Sequence, residues 1–330
     1  MRSQMAKRVR LFAILLLPLL GASLAGVSAG DERAQPQALS IAATTGMVAD
    51  TVARVAGDRV KVHALMGPAV DPHLFRPTRT DIAKLAGADV IFYNGLYLEA
   101  QMEALLTDLA ARKPVIAIAE RVPKHLLLAN ADYPDKFDPH VWMDPKLWTH
   151  AVEAVRDALI AADEAGREQY TTNAARMIGE LNRLAEYASA SLASVPEGQR
   201  VLVTAHDAFN YFGRAYNFQV LGIQGISTES EAGLKQIEDM VATLVERNIR
   251  AIFVETSVSD RNVKALIEGA GVRGHSVIIG GELYSDAMGA AGTYEGTYIG
   301  MIDHNATVIT RALGGDAPVR GLNGQLSVGS

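Results

Sequence analysis

Between residues 146 and 195 the sequence carries no strand signal, and on either side of that stretch lie two series of short apolar runs. The segment "REQYTTNAARMIGELNRLAEYASASLASV" is built of helix formers without an internal proline. Within it Met177, Leu181, Leu184 and Tyr187 recur at helical spacing. The stretch therefore predicts one helix closing a first lobe and a long helix bridging to a second. A long helix is a stiff connector, unlike a Gly/Ser linker.

The flanking runs have the length and β-branched content of buried strands. On the N-terminal side they are 38–44, 60–66, 90–95 and 115–119, separated by helical segments such as 81–87 and 98–111. On the C-terminal side they are 201–206, 219–224, 251–257 and 276–281, with helices near 231–247 and 260–270 and a closing helix near 293–313. Strands alternating with helices indicate parallel α/β sheets. The expected fold is thus α/β, with two lobes, each a mainly parallel four-stranded sheet flanked by helices. The boundaries fall at 38–165 for the first lobe, 166–196 for the linking helix and 197–330 for the second lobe.

The N-terminus reads as a secretory leader. Arg2, Lys7, Arg8 and Arg10 precede an apolar run from Leu11 to Leu20, then small residues with cleavage sites at 23–25 or 27–29. Residues 1–29 are expected to be a signal peptide and 30–37 a loose polar leader. The apolar run is shorter than the ~20 residues of a spanning helix. Removing 1–29 takes away four basic and no acidic side chains and moves the formal charge from −6 to −10. So acidic a protein is a poor partner for nucleic acid or an anionic membrane. The chain has no cysteine, which excludes disulfides, thiolate metal sites, cysteine nucleophiles and a lipid-modified N-terminal cysteine. The expected location is therefore a periplasm, with the protein free in it.

Two local motifs echo each other, "VDPHLFRPT" at 70–78 and "FDPHVWMDP" at 137–145. Proline fixes its own φ and biases the residue before it towards extended backbone, which stiffens the loop ahead of each imidazole. Phe75 and Trp142 are placed to bury beside these loops and exclude water. Open α/β sheets bind ligands beyond the carboxyl ends of their strands, and four candidate ligands fall there. His73 follows the second strand and His140 the fourth; His206 ends the first strand of the second lobe, and Asp286 follows its fourth. If the lobes face each other, three imidazoles and a carboxylate converge, a donor set suited to a first-row divalent cation. Taken singly, a histidine after a strand is more often a structural residue than a ligand, and Asp286 equally fits a helix N-cap. Asp71, Asp138 and Asp207 are candidates to orient the rings, and Glu255 is a further supporting carboxylate. His63, His125, His150, His275 and His304 share no motif and read as structural or surface residues.

Other chemistries lack their signatures. The chain has no Gly-x-Ser-x-Gly elbow and no His-Glu-x-x-His helix, and "GAAGT" at 289–293 lacks both the dinucleotide fingerprint and the Walker lysine.

The segments "DPHLFRPT", "FDPHVWMDP", "LVTAHDAFNYFGRAYNF", "GISTESEAGLKQIEDMV", "AIFVETSVSD" and "GGELYSDAMGAAGTYEGTYIGMIDHN" resemble the metal-binding (TroA-like, cluster A-I) solute receptors of bacterial zinc and manganese ABC transporters. The resemblance runs from residue 71 to 305. It implies two α/β lobes on a rigid helix with a metal ion clamped between them, and carries the ligand pattern to His73, His140, His206 and Asp286. It implies a divalent ion as transported ligand, Zn2+ or Mn2+ with Fe2+ third. It also implies an inner-membrane ABC permease and its ATPase as partners, a monomeric receptor, no nucleic acid and no enzymatic activity. Many manganese and iron receptors have glutamate where this chain has His206. Many zinc receptors have a histidine-rich loop that is absent here, where only His125 lies between His73 and His140. Two rival readings are a secreted zinc metallohydrolase with Glu255 as base, and a metal-binding adhesin.

Overall fold

The computed structural model describes residues 39–130 and 133–327. The expected signal peptide, 1–29, and leader, 30–37, lie outside the described residues.

The first half begins with β1 (Leu39–Ala43), α1 (Gly46–Ala56), β2 (Val60–Ala64), α2 (Arg79–Gly87) and β3 (Val90–Tyr93), then α3 (Glu103–Ala110) and β4 (Val115–Ala117). Its strands form one parallel sheet in the order β2-β1-β3-β4. Local sequence sets the boundaries. Thr78 and Asp81 cap the start of α2 reciprocally, and Pro145 opens α4 (Pro145–Ala162) behind the N-cap Asp144.

The long helix α5 (Arg167–Ala193) follows, 27 residues, which spans about 40 Å at helical rise. Tyr170, Ala174, Met177, Leu181, Leu184, Ala188 and Leu192 form its buried stripe. Tyr187, at the edge of that stripe, pairs its hydroxyl with Thr307 Oγ1 at 2.8 Å.

The second half contains β5 (Val201–Thr204), α6 (Asn210–Tyr216), β6 (Gln219–Gly222), α7 (Leu234–Glu246), β7 (Ala251–Glu255), α8 (Arg261–Val272), β8 (Ile278–Leu283) and α9 (Tyr298–Ala312). Its strands form two parallel pairs, β5 with β6 and β7 with β8. β5 lies against β7, which repeats the winding of the first half. The β7–β8 register slips between Ile252 and Phe253. All eight expected strands are present; α1 and α6 are helices the sequence reading did not name.

Helix α5 packs against α1 and α4 of the first half and against α6 and α9 of the second. One buried apolar cluster consequently runs through both lobes, from Ile41 and Phe92 through Leu181 to Phe212, Phe253 and Ile302. Among the described residues no helix is long and apolar enough to cross a membrane.

Candidate metal centre

Each Asp-Pro-His motif folds into an Asx turn. Asp71 Oδ1 accepts the backbone N–H of His73 at 2.8 Å, and Asp138 Oδ1 accepts that of His140 at 3.0 Å. Proline at the centre presets the turn. The second loop is also anchored from the first sheet. Buried Glu99 accepts the Thr44 hydroxyl and the N–H groups of Asn94 and Gly95, and the Asn94 amide donates to the Pro139 carbonyl at 3.1 Å. Trp142 is wholly buried. Its ring lies 5.1 Å from that of His140, and its indole N–H donates to the Ser285 carbonyl at 2.9 Å. Phe75 is only half-buried, and Leu74 beside it is exposed.

His73, His140, His206 and Asp286 are all buried, and one ligand-type atom from each lies within 4.8 Å of every other. His73 Nε2 is 3.3 Å from His140 Nε2. Asp286 Oδ2 is 3.1 Å from His206 Nε2 and 3.7 Å from His73 Nε2, and its Oδ1 is 3.4 Å from His140 Nε2. Ligands about 2 Å from a tetrahedral ion stand roughly 3.3 Å apart, so these separations have the right scale. His206 Nε2 and both oxygens of Asp286 are buried without a hydrogen-bond partner. Buried polar atoms seldom go unpaired, and here they face one point. Asp286 sits in the loop between β8 and α9, clear of any helix N-cap.

Carboxylates stand behind two of the rings. His140 Nδ1 lies 2.8 Å from Asp138 Oδ1. Glu255, at the end of β7, accepts both the ring Nδ1–H and the backbone N–H of His206. Asp207, a candidate from its place in sequence, makes no such contact; its N–H donates to Gly225, and the pairing of residue 206 with 255 comes from the contact of β5 with β7. Asp71 holds the His73 backbone rather than its ring.

Burial pushes His73 down to about 3. Burial also opposes charge on His140, but the Asp138 and Asp286 carboxylates outweigh it and hold the ring up to about 9. The same contest, won by Glu255 and Asp286, raises His206 well above 6.5. Facing His206 and His140, Asp286 lies well below the usual carboxylate range despite its burial. The other histidines stay out of this cluster. The His275 ring N–H donates to the Ile249 carbonyl and that of His304 to the Glu282 carbonyl, while His150 pairs with Glu153 on α4.

Two parallel α/β lobes on a continuous helix, with buried imidazoles and a carboxylate gathered between them, define the class of two-lobed solute-binding proteins with a metal-type site. The chain belongs to the ZnuA family, described as zinc-uptake complex component A, periplasmic, whose model matches residues 41–312. It is 45% identical over 303 residues to the manganese-binding lipoprotein MntA of Bacillus subtilis (strain 168), covering 92% of this chain and 97% of that one. It is 44% identical over 275 residues to the zinc-binding protein TroA of Treponema pallidum (strain Nichols), covering 83% and 88%. The solved structure of the T. pallidum periplasmic zinc-binding protein TroA superposes with a TM-score of 0.81 at 44% identity, covering 83% of this chain and 98% of that one.

These relatives correct one expectation. The protein was expected to be free in the periplasm because it lacks cysteine, yet MntA of B. subtilis and SloC of Streptococcus mutans are named lipoproteins. Relatives of this family are thus named as tethered forms. Lack of cysteine therefore does not establish a free one.

Proposed function

We propose that the chain is the receptor of an ABC-type importer: it captures a divalent transition-metal ion between its lobes and delivers it to a membrane permease driven by an ATPase. His73, His140, His206 and Asp286 are its ligands, and residues 38–165 and 197–330 its lobes, with 166–196 as the linking helix. The observation that carries this reading is the convergence of four buried donors, three of whose inward-facing atoms have no other partner. The cargo is zinc or manganese, with iron third. Three imidazoles and a carboxylate suit zinc. Both oxygens of Asp286 face the imidazoles, so a bidentate carboxylate would raise the coordination number and admit manganese. A single chain supplies the whole ligand set.

The receptor does no chemistry in this reading. A hydrolase would need a free base beside its metal, and Glu255, the candidate, is engaged by His206. Nothing in the fold or among the relatives favours the hydrolase or the adhesin.

The test is elemental analysis of the metal-stripped protein after exposure to equal zinc and manganese, with a titration of each ion alone. One retained equivalent of zinc against excess manganese identifies a zinc receptor; comparable reversible binding of both leaves selectivity to the permease. His140→Ala should lower affinity by at least about 100-fold with the far-ultraviolet spectrum unchanged. Binding of neither ion by the parent chain overturns the proposal.

A further inference from the structure

The aspartate of each Asp-Pro-His motif uses its two oxygens in opposite directions. Asp71 Oδ1 holds the His73 backbone at 2.8 Å while Oδ2 accepts the hydroxyl of Thr228 at 2.6 Å. Asp138 Oδ1 faces the backbone and ring nitrogens of His140, while Oδ2 accepts the amide of Asn210 at 3.2 Å. Thr228 lies in the loop after β6 and Asn210 opens α6, so both donors belong to the lobe opposite the histidine they reach. Tyr211, next to Asn210, adds a hydrogen bond from its hydroxyl to the Asp138 carbonyl at 2.9 Å. His206, by contrast, is oriented by Glu255 from its own lobe.

We propose that Thr228 and Asn210 are positioning residues through which lobe closure sets the grip of His73 and His140 on the ion. The inference rests on the receptor reading above. A carboxylate held from both sides has its torsion fixed; Asp138 passes that order to the His140 ring and Asp71 to the backbone that carries His73, which lowers the ordering cost of ligation. Parting the lobes withdraws the Thr228 and Asn210 donors and leaves Asp71 and Asp138 tethered on one side only. The first-lobe ligands then loosen while His206 keeps its support, so the ion leaves His73 and His140 first. Closure and affinity are coupled because the two states hold the ion differently, the condition for any switch. The repeated motif thus has a role that a plain ligand loop lacks: its aspartate reads whether the opposite lobe is in place.

The experiment measures zinc dissociation from the intact chain into excess chelator by stopped flow, and zinc association separately, for the parent chain, Thr228→Val, Asn210→Ala and Thr228→Ser. Loss of a hydrogen bond to a carboxylate predicts about tenfold faster dissociation in each of the first two variants. Association should stay within about twofold, since changes at an interface act mainly on off-rates. Thr228→Ser, which keeps the hydroxyl, should restore the parent rate, and the far-ultraviolet spectra of the metal-stripped variants should match the parent. Unchanged dissociation in both variants, with the parent retaining one zinc, overturns the coupling and leaves the receptor reading standing. So does a Thr228→Ser variant as fast as Thr228→Val. A parent chain that binds no zinc removes the basis of both.

Discussion

Glu255 stands directly behind His206, accepting its ring Nδ1–H and its backbone N–H and leaving Nε2 aimed at Asp286 3.1 Å away. A carboxylate can only accept, so Nδ1 keeps its proton and the ring, once neutral, presents its lone pair to an ion at Nε2. Glu255→Gln keeps the shape and removes the charge. It should weaken zinc binding by roughly 10–100-fold, measured by chelator competition; affinity equal to the parent's would remove Glu255 from the site.

Zinc binding should release protons. In the metal-stripped protein His140, held up to about 9, and His206, raised well above 6.5, keep their protons near neutrality, whereas His73, pushed down to about 3, does not. Ligation needs neutral rings, so about two protons should leave per ion at pH 7. Affinity then falls as pH drops and rises towards the alkaline side. The His140 proton also stabilises the metal-stripped fold: its contribution is full below the ordinary value of 6.5 and is lost as pH rises through about 9. Calorimetry in two buffers of different ionisation heat counts the protons; a count of zero would mean both rings are already neutral.

Trp142 should report occupancy. It is one of two tryptophans, lies against His140 and bonds to the residue before Asp286. Trp148 is stacked on Tyr298, with ring centroids 5.7 Å apart. Intrinsic fluorescence should change on zinc addition in the parent and in Trp148→Phe, and the change should vanish in Trp142→Phe. The last variant should also bind several-fold more weakly, at about 1 kcal/mol for the lost hydrogen bond. A signal surviving Trp142→Phe would place its source elsewhere.

Leu181, wholly buried midway along α5, belongs to the apolar cluster that runs through both lobes. Leu181→Ala should destabilise the metal-stripped protein by about 2–5 kcal/mol and lower a single calorimetric transition. Two separated transitions, only one of them shifted, would contradict the shared core.

The strands were legible because buried parallel strands read as short apolar runs, and the long helix because nothing interrupts its stripe. Two of the candidate ligands were legible from the repeated Asp-Pro-His, whose Asx turn is encoded within three residues. The supporting groups were harder to read, because each depends on contact across the fold. Glu255 reaches His206 through neighbouring strands, Thr228 reaches Asp71 across the cleft, and Trp142 reaches Ser285 from the opposite lobe. Local proximity misled at Asp207, which is adjacent to His206 in sequence but bonds to Gly225 instead.

The apolar cluster that threads both lobes through α5 also limits how the molecule can be taken apart. A cut near residue 165 would leave α1 and α4 without the helix they pack on, and a cut after 193 would strip α6 and α9 of theirs. The lobes are therefore not interchangeable modules. An engineer grafting a second lobe of different metal preference would have to transplant the spine with it and rebuild the first lobe's contact face to match.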